Sequence, residues 1–114
     1  MFVSLLARRL RPGKTYDDFL RAWYPDKGFG VRMRGPFLAR NLEDDREILT
    51  VGLIDLSGRD ELLDGMAGVA AQEATRHDRI DEVIESTTLR GIYEVTAEFD
   101  FSTDESVSRG RPDI

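Results

Sequence analysis

The sequence contains no cysteine and only one histidine, His77, among its 114 residues. Without thiols the chain can form no disulfide, no thiolate nucleophile and no cysteine zinc site. A metal site would need mostly carboxylate ligands, and neither a calcium-loop nor a His-Glu zinc motif supplies them. We therefore predict that the protein holds no metal and no cofactor.

Long apolar runs and an excess of positive charge are also missing. Residues 1–7 are too few to span a bilayer, and no basic start or cleavage site marks them as a signal peptide. The formal net charge of −6 opposes nonspecific binding to phosphate backbones, which requires a basic surface. We expect a cytoplasmic protein that binds neither nucleic acid nor membrane.

What remains is the pattern of one soluble domain. Apolar residues make up 40% of the chain and charged residues 33%, enough for a single core at this length. Apolar segments bounded by turn residues predict four strands, over residues 2–9, 37–41, 47–56 and 88–101. The third strand is apolar on both faces, which favours a central position in the sheet.

Two helices are predicted between these strands. The first begins with a capping box at Thr15 and ends before Pro25. The second covers residues 59–85 and begins with a capping pattern at Ser57. An unbroken helix of that length would be roughly 40 Å long, more than the strands it should cover, so we expect a break near Thr75.

The order β-α-β-β-α-β predicts a ferredoxin-like α+β fold, in which a four-stranded antiparallel sheet carries both helices on one face. We place this single domain at residues 1–101 and expect residues 102–114, which are mostly polar, to form a flexible tail. Residues 25–36 contain three glycines and two prolines. Loops of this length often cover a binding site.

The two faces of the predicted sheet differ in composition. The first carries apolar side chains on its central strands, namely Val3, Leu5, Ala7, Leu49, Val51 and Leu53. The second mixes apolar and polar side chains, namely Phe2, Leu6, Ile48, Ile54 and Ile92 with Ser4, Arg8, Thr50, Glu94 and Glu98. We expect a partner sheet or a ligand, rather than the chain's own helices, to cover the mixed face. A symmetric homodimer is the simplest arrangement.

In length, element order, the Phe19-Leu20-Xaa-Xaa-Trp23 helix and the two-faced sheet, the chain resembles the dimeric α/β-barrel superfamily. This superfamily includes antibiotic-biosynthesis monooxygenase-like, EthD-like and stress-responsive barrel proteins. The resemblance covers residues 1–101 and implies a dimer with facing sheets and, between helices and sheet, a small cavity for an apolar or aromatic ligand. Members that degrade haem carry an Asn near the end of the first strand, where this chain has Ala7 and Arg8, so haem degradation is not implied.

His77 is the chain's one side chain with an ordinary pKa near neutral pH. If the helix runs through Thr75, Glu73 lies one turn before His77, and its carboxylate could orient and charge the imidazole. If Thr75 caps a new helix, His77 lies in a first turn, where the helix dipole favours the neutral form. A boundary histidine with one structural hydrogen bond is the third interpretation.

Three aromatic residues are candidate ligand contacts. Trp23 and Tyr24 end the first helix beside the glycine-rich loop and could form the wall and mouth of a pocket. Tyr93 could offer its hydroxyl, and all three could instead belong to the core. The predicted ligand pocket comprises Trp23, Tyr24, Glu73, His77 and Tyr93. The candidate catalytic residues are His77 and Arg8.

Two functions are consistent with these features. In the first, the protein is a small-molecule-binding dimeric barrel, acting as a cofactor-independent monooxygenase or isomerase on an aromatic or polyketide-like compound. His77 or Arg8 would then stabilise a developing enolate. In the second, it is a noncatalytic ligand-binding or regulatory module of the βαββαβ type. A third possibility is a purely structural dimer without a ligand, which the presence or absence of a closed cavity distinguishes from both.

Overall fold

The computed structural model describes residues 1–56 and 58–112. The elements in chain order are β1 (Phe2–Leu10), α1 (Tyr16–Trp23), β2 (Met33–Arg40), β3 (Glu47–Ile54), α2 (Arg59–Gly68), α3 (Ala70–Asp81), β4 (Ile84–Glu94) and α4 (Asp104–Gly110). The four strands form one antiparallel sheet in the order β2-β3-β1-β4. The predicted ferredoxin-like α+β fold is confirmed, including the central position of β3.

The first helix has the predicted cap. The Thr15 hydroxyl accepts a hydrogen bond from the backbone N–H of Asp18 at 3.2 Å, and the Asp18 carboxylate accepts one from the backbone N–H of Thr15 at 2.8 Å. These bonds satisfy two donors that the first turn leaves free. Phe19 and Trp23 are the buried residues of α1, and the helix ends at Trp23, two residues before Pro25.

The second helical stretch breaks at Val69, so the prediction of a break near Thr75 is wrong. α2 ends at Gly68, a residue type that costs about 1 kcal/mol in a helix interior. Thr75 lies inside α3, where its hydroxyl donates to the Ala71 carbonyl at 3.2 Å. Ser57, the predicted cap of this stretch, lies outside the described residues, and Gly58 occupies the N-cap position of α2.

The core joins one end of the sheet to α1 and α3. It consists of Leu10, Phe19, Trp23, Ile48, Ile80, Val83 and Ile84. Burying a large apolar side chain fully is worth about 1.5–3 kcal/mol, so this cluster fixes the two helices on the sheet. Toward the opposite ends of β1 and β3 the helices and the sheet do not close against each other, and a cavity lies there.

The two faces of the sheet are covered in the opposite way to the prediction. The mixed face, with Leu6, Arg8 and Thr50, lies beneath the helices, and Arg8 and Thr50 are buried there. The apolar face is not covered by any of the described helices. Apolar composition predicts that a face will be buried, but it does not say whether the chain's own helices or another molecule buries it.

Three rows of side chains define the apolar face, which we call the open sheet face. Strand pairing aligns Tyr93, Val3, Leu53 and Arg34 in one row, Gly91, Leu5, Val51 and Phe37 in the next, and Leu89, Ala7, Leu49 and Ala39 in the third. Phe37 and Tyr93 are each 45% exposed. Exposed apolar patches of several hundred Å² are typical of interaction surfaces.

The C-terminal region differs from the prediction at three points. β4 begins at Ile84 rather than near residue 88, and it ends at Glu94 rather than near residue 101. Phe2 of β1 pairs with Glu94, so residues 96–101 keep their alternating pattern without a β1 residue beside them. Where a flexible tail was predicted, α4 covers Asp104–Gly110 with a cap at Thr103. Residues 113 and 114 of that predicted tail lie outside the described residues.

Candidate functional site

A cavity of about 960 Å³ lies between the mixed face of the sheet and the helices α2 and α3. We call it the main cavity. Its walls are mostly apolar and include Phe29, Val31, Met33, Ile54, Leu62 and Met66. Its polar side chains include Arg8, Glu73, His77 and Arg90. Apolar walls with a few convergent polar groups are typical of small-molecule sites.

A narrower space of about 110 Å³ adjoins the main cavity and shares Arg8, Phe29 and His77 with it. We call this space the inner extension, because Trp23, Thr50 and Arg76, which line it, are buried. A ligand could therefore place a small polar group in the inner extension while its apolar body occupies the main cavity.

Arg8 is the most unusual group of the site. It is only 3% exposed, and its guanidinium forms neither an ion pair nor a hydrogen bond within residues 1–56 and 58–112. The guanidinium lies over the Phe19 ring, whose centroid is 5.8 Å from Cζ. Burial, and then the nearby Arg76 and Arg90, lower the pKa of Arg8 to about 10. The group thus remains cationic at neutral pH.

The alternation of β1 places Arg8 on this face. Ser4, Leu6 and Arg8 point beneath the helices, and Thr50 of β3 pairs with Leu6, so Thr50 is a diagonal neighbour of Arg8. Thr50 is 7% exposed, and its hydroxyl also has no hydrogen-bond partner among the described residues. Two buried polar groups without partners therefore lie side by side on the sheet.

Arg76 has the opposite surroundings. Its Nε donates to the Trp23 carbonyl at 2.8 Å, and its Nη1 donates to both carboxylate oxygens of Glu73 at 2.8 and 2.7 Å. Its guanidinium also lies over two rings, 5.4 Å from the Trp23 centroid and 4.9 Å from that of Phe29. Arg76 thus joins α3, the end of α1 and the loop after it.

Glu73 and His77 form the predicted i, i+4 pair, because α3 runs through Thr75. The distance from His77 Nε2 to the Glu73 carboxylate is 3.7 Å, too long for a hydrogen bond. Burial, with Arg90 and Arg8, lowers the pKa of His77, and Glu73 opposes this only partly. The expectation that Glu73 would charge the imidazole is therefore wrong, because Arg76 occupies the Glu73 carboxylate and further arginines surround the cavity.

Acidification is expected to destabilise the fold through His77. Its folded-state pKa lies below the ordinary 6.5, so between these two values the unfolded chain binds a proton that the folded chain does not. The stabilisation from the neutral imidazole is complete above pH 6.5 and is lost as the pH falls through the folded-state pKa. With one histidine in the chain, a single imidazole NMR signal measures that pKa. Between about pH 7 and about pH 5, the free energy of unfolding measured in urea should fall more steeply for the native chain than for the His77→Gln variant. Parallel curves, or an NMR midpoint above 6.5, would contradict this.

The loop over residues 25–32 forms one wall of the main cavity through Phe29 and Val31. The Gln72 side chain holds it to α3, accepting from the Lys27 backbone N–H at 2.8 Å and donating to the Lys27 carbonyl at 3.0 Å. A Cβ atom added at Gly65 would lie 2.2 Å from Val31 Cγ1. The close approach of loop and helix therefore requires a glycine at this position.

No protein-family profile matches the chain, and no curated protein matches it in sequence. Solved structures with similar folds include an antibiotic biosynthesis monooxygenase-like protein from Chloroflexus aurantiacus J-10-fl, with a TM-score of 0.60 and 11% identity, covering 85% of this chain and 95% of that one. Another is an uncharacterized NIPSNAP domain protein from Burkholderia xenovorans, with a TM-score of 0.62 and 18% identity, covering 85% and 96%. The chain shares the ferredoxin-like fold of these two structures. The predicted resemblance is confirmed at the level of the fold.

Within this ferredoxin-like fold the predicted pocket residues separate into two groups. Glu73 and His77 line the main cavity, as does Arg8, while Trp23 lines the inner extension. Tyr24 is 66% exposed at the end of α1 and lies outside both spaces. Tyr93 pairs with Val3 on the open sheet face, where its ring lies over Gly91. Because side chains alternate between the two faces along β4, Tyr93 lies on the face away from the ligand site.

Three residues that the fold brings to the site were not predicted from the sequence: Phe29, Thr50 and Arg76. For Arg76 a signal was present, since it follows Glu73 at the i, i+3 spacing of a helical ion pair. Phe29 is the aromatic residue of the long glycine-rich loop. Thr50 had no signal of its own, because its isolation depends on which face the helices cover.

The described residues hold no cluster of three or more side chains that could ligate a metal ion. Among the helices of residues 1–56 and 58–112, none is both long and apolar enough to cross a bilayer.

Proposed function

We propose that this chain is a small-molecule-binding protein of the dimeric α/β-barrel type, and that its ligand is an apolar or aromatic compound bound in the main cavity. The observation that carries the proposal is the cavity itself, whose apolar walls surround a few polar groups. Pockets for small molecules have volumes of about 300–1,000 Å³, and the main cavity lies at the upper end of this range. The fold shared with an antibiotic biosynthesis monooxygenase-like protein supports the proposal at the level of architecture.

The chemistry that these residues could perform is proton transfer. A neutral imidazole can accept a proton from a phenol or an activated C–H group, and His77 is held neutral at the cavity wall. The Arg8 guanidinium would then stabilise the negative charge of the resulting phenolate or enolate. This assigns His77 as general base and Arg8 as electrostatic stabiliser in a cofactor-independent monooxygenase or isomerase.

One observation favours the second candidate, a binding or regulatory module without catalysis. A general base is usually oriented by a hydrogen-bonded partner, but the Glu73 carboxylate bonds to Arg76 and lies 3.7 Å from His77.

Replacing His77 with glutamine tests the enzyme. If His77 is the general base, turnover of an aromatic substrate should be at least about a hundredfold lower in His77→Gln than in the native chain. Unchanged turnover in the variant would remove His77 from the mechanism.

The dimer in this proposal forms through the open sheet face. Its three rows cover all four strands and are apolar except for Arg34, and the main cavity lies on the other side of the sheet, so that pairing leaves the ligand site accessible. Two such sheets packed face to face would bury the exposed rings of Phe37 and Tyr93. The contact would be isologous, as in most homodimers.

Introducing a charge at the centre of this face is expected to separate the subunits. Val51 lies in the middle row between Leu5 and Phe37, and in a dimer the carboxylate of Val51→Asp would be buried without a partner. We expect native mass spectrometry to find dimers of the unmodified chain, carrying any retained small molecule, and mainly monomers of the variant. The control is Leu42→Asp in the fully exposed β2–β3 turn, which should remain dimeric. A monomeric unmodified chain, or a dimeric Val51→Asp variant, would overturn this arrangement.

A further inference from the structure

The buried charge of Arg8 points to a property of the ligand, and this inference rests on the proposed cavity function. A guanidinium taken out of water is costly unless an anion or several acceptors compensate it. Arg8 is 97% buried, since its exposed fraction is 3%. No carboxylate of the described residues lies within ion-pair distance of it, whereas Arg76, buried to a similar degree, has Glu73.

The carboxylates that line the cavity are not available to Arg8. Both oxygens of Glu73 accept from Arg76 Nη1. Asp81, the other acidic residue of the lining, is exposed at the end of α3; its charge raises the pKa of Arg8, but it forms no ion pair with Arg8. The positive charge of Arg8 is therefore matched by no side chain of the described part of the chain, in a protein whose formal net charge is −6.

Thr50 adds a second hydrogen-bonding group at the same place. Its hydroxyl and Arg8 Nη1 are the two buried side-chain polar atoms without a partner in residues 1–56 and 58–112. Both residues line the inner extension, together with the Trp23 side chain. A guanidinium and a hydroxyl together suit an oxyanion, because the guanidinium donates through paired N–H groups and the hydroxyl donates one more.

We propose that the ligand carries a carboxylate, which pairs with the Arg8 guanidinium beside Thr50 in the inner extension, while its apolar body occupies the main cavity. The volume of about 110 Å³ suits a carboxylate with a short stem. A singly charged group is favoured over a phosphate dianion, because Arg8 is the one cation lining this space that has no carboxylate partner among the described residues, while Arg76 is already bonded to Glu73. The ligand class is therefore an aryl or alkyl monocarboxylic acid.

The test compares acids with amides of the same shape. Matched pairs of aryl carboxylates and their primary amides, from benzoate to 4-phenylbutyrate, are titrated into the full chain, with 4-phenylbutyl phosphate as the dianionic probe. Trp23 is the only tryptophan and lines the inner extension, so its fluorescence reports binding there, and calorimetry confirms the affinity. We expect the best carboxylate to bind about 10- to 100-fold more tightly than its amide, the range of a charge-assisted hydrogen bond.

Two variants assign this preference to the site. Arg8→Met should abolish it, and Thr50→Val, which keeps the volume of the side chain, should reduce it about threefold to tenfold. The matched control is Arg9→Met, which removes the same charge from the next residue of β1 but from the opposite face of the sheet. That variant should keep the preference.

The possible results separate this inference from the proposed function. Equal binding of acid and amide would overturn the carboxylate assignment and leave the cavity proposal intact. A preference that survives in Arg8→Met, or tighter binding of the phosphate, would also overturn it. If no probe of either kind binds, both proposals fail.

Discussion

Replacing Arg76 with methionine is expected to lower the free energy of unfolding by about 2–3 kcal/mol. The substitution removes the bond to the Trp23 carbonyl and both bonds to Glu73. It also leaves the Glu73 carboxylate beside an apolar side chain. Breaking a fully buried ion pair costs about 3–5 kcal/mol, and the value is lower here because Glu73 retains 29% of its side-chain exposure and can be hydrated. Urea unfolding measures the change.

The matched control for Arg76→Met is Arg79→Met, one turn further along α3. Arg79 also reaches across to α1, donating to the carbonyls of Ala22 and Tyr24 at 3.3 Å, but it pairs with no carboxylate among the described residues. We expect a smaller loss in this variant. Equal losses would mean that the Glu73 pair contributes nothing beyond the contact between the two helices.

Replacing Arg8 with methionine is expected to raise the free energy of unfolding, which is opposite to the effect of the same substitution at Arg76. Arg8→Met removes a buried cation that lacks a partner in the described structure and keeps most of the apolar stem. Leaving such a group unsatisfied costs about 1–3 kcal/mol, so the free energy of unfolding should rise by about that amount. The same variant should lose the carboxylate preference, because it lacks the guanidinium N–H donors that would pair with the ligand's carboxylate.

Arg9→Met controls the Arg8 measurement. Arg9 lies on the opposite face, bonded to Asp44 and 3.5 Å from Glu85, and these contacts are partly exposed. Exposed ion pairs contribute little, so we expect a slight loss or no change in stability. If Arg8→Met lowers the free energy of unfolding in urea, then Arg8 has a structural role, and the argument for an external anion is lost.

The fold of this chain was predictable because its signals are local. The capping box at Thr15, the apolar stripe of α1 and the run of β3 each depend on residues close together in the sequence. The break in the second helix was misplaced because two signals competed. The Thr75 pattern indicated a cap, but its hydroxyl bonds within the helix instead, and the break follows Gly68.

The candidate site was predictable only in part. His77 and Glu73 fall on one stripe of α3 by helical spacing, and this spacing brings both to the cavity. Which side chain donates to the Glu73 carboxylate could not be read from spacing, because Arg76 and His77 both lie about one helical turn from it. Which of them bonds to the carboxylate depends on Trp23 and Phe29, which are distant in sequence and hold Arg76 in place.

The sequence by itself determined the order of the four strands and of the helical segments between them, and with it the ferredoxin-like sheet, because hydrophobic spacing and capping act within single elements. Only the tertiary structure decided which face the helices cover. Both faces carry apolar side chains. The choice between them depends on the side of the sheet on which the helices between the strands pass, and this involves segments that lie far apart in the chain. That choice isolates Arg8 and Thr50 beneath the helices and places Tyr93 on the open sheet face.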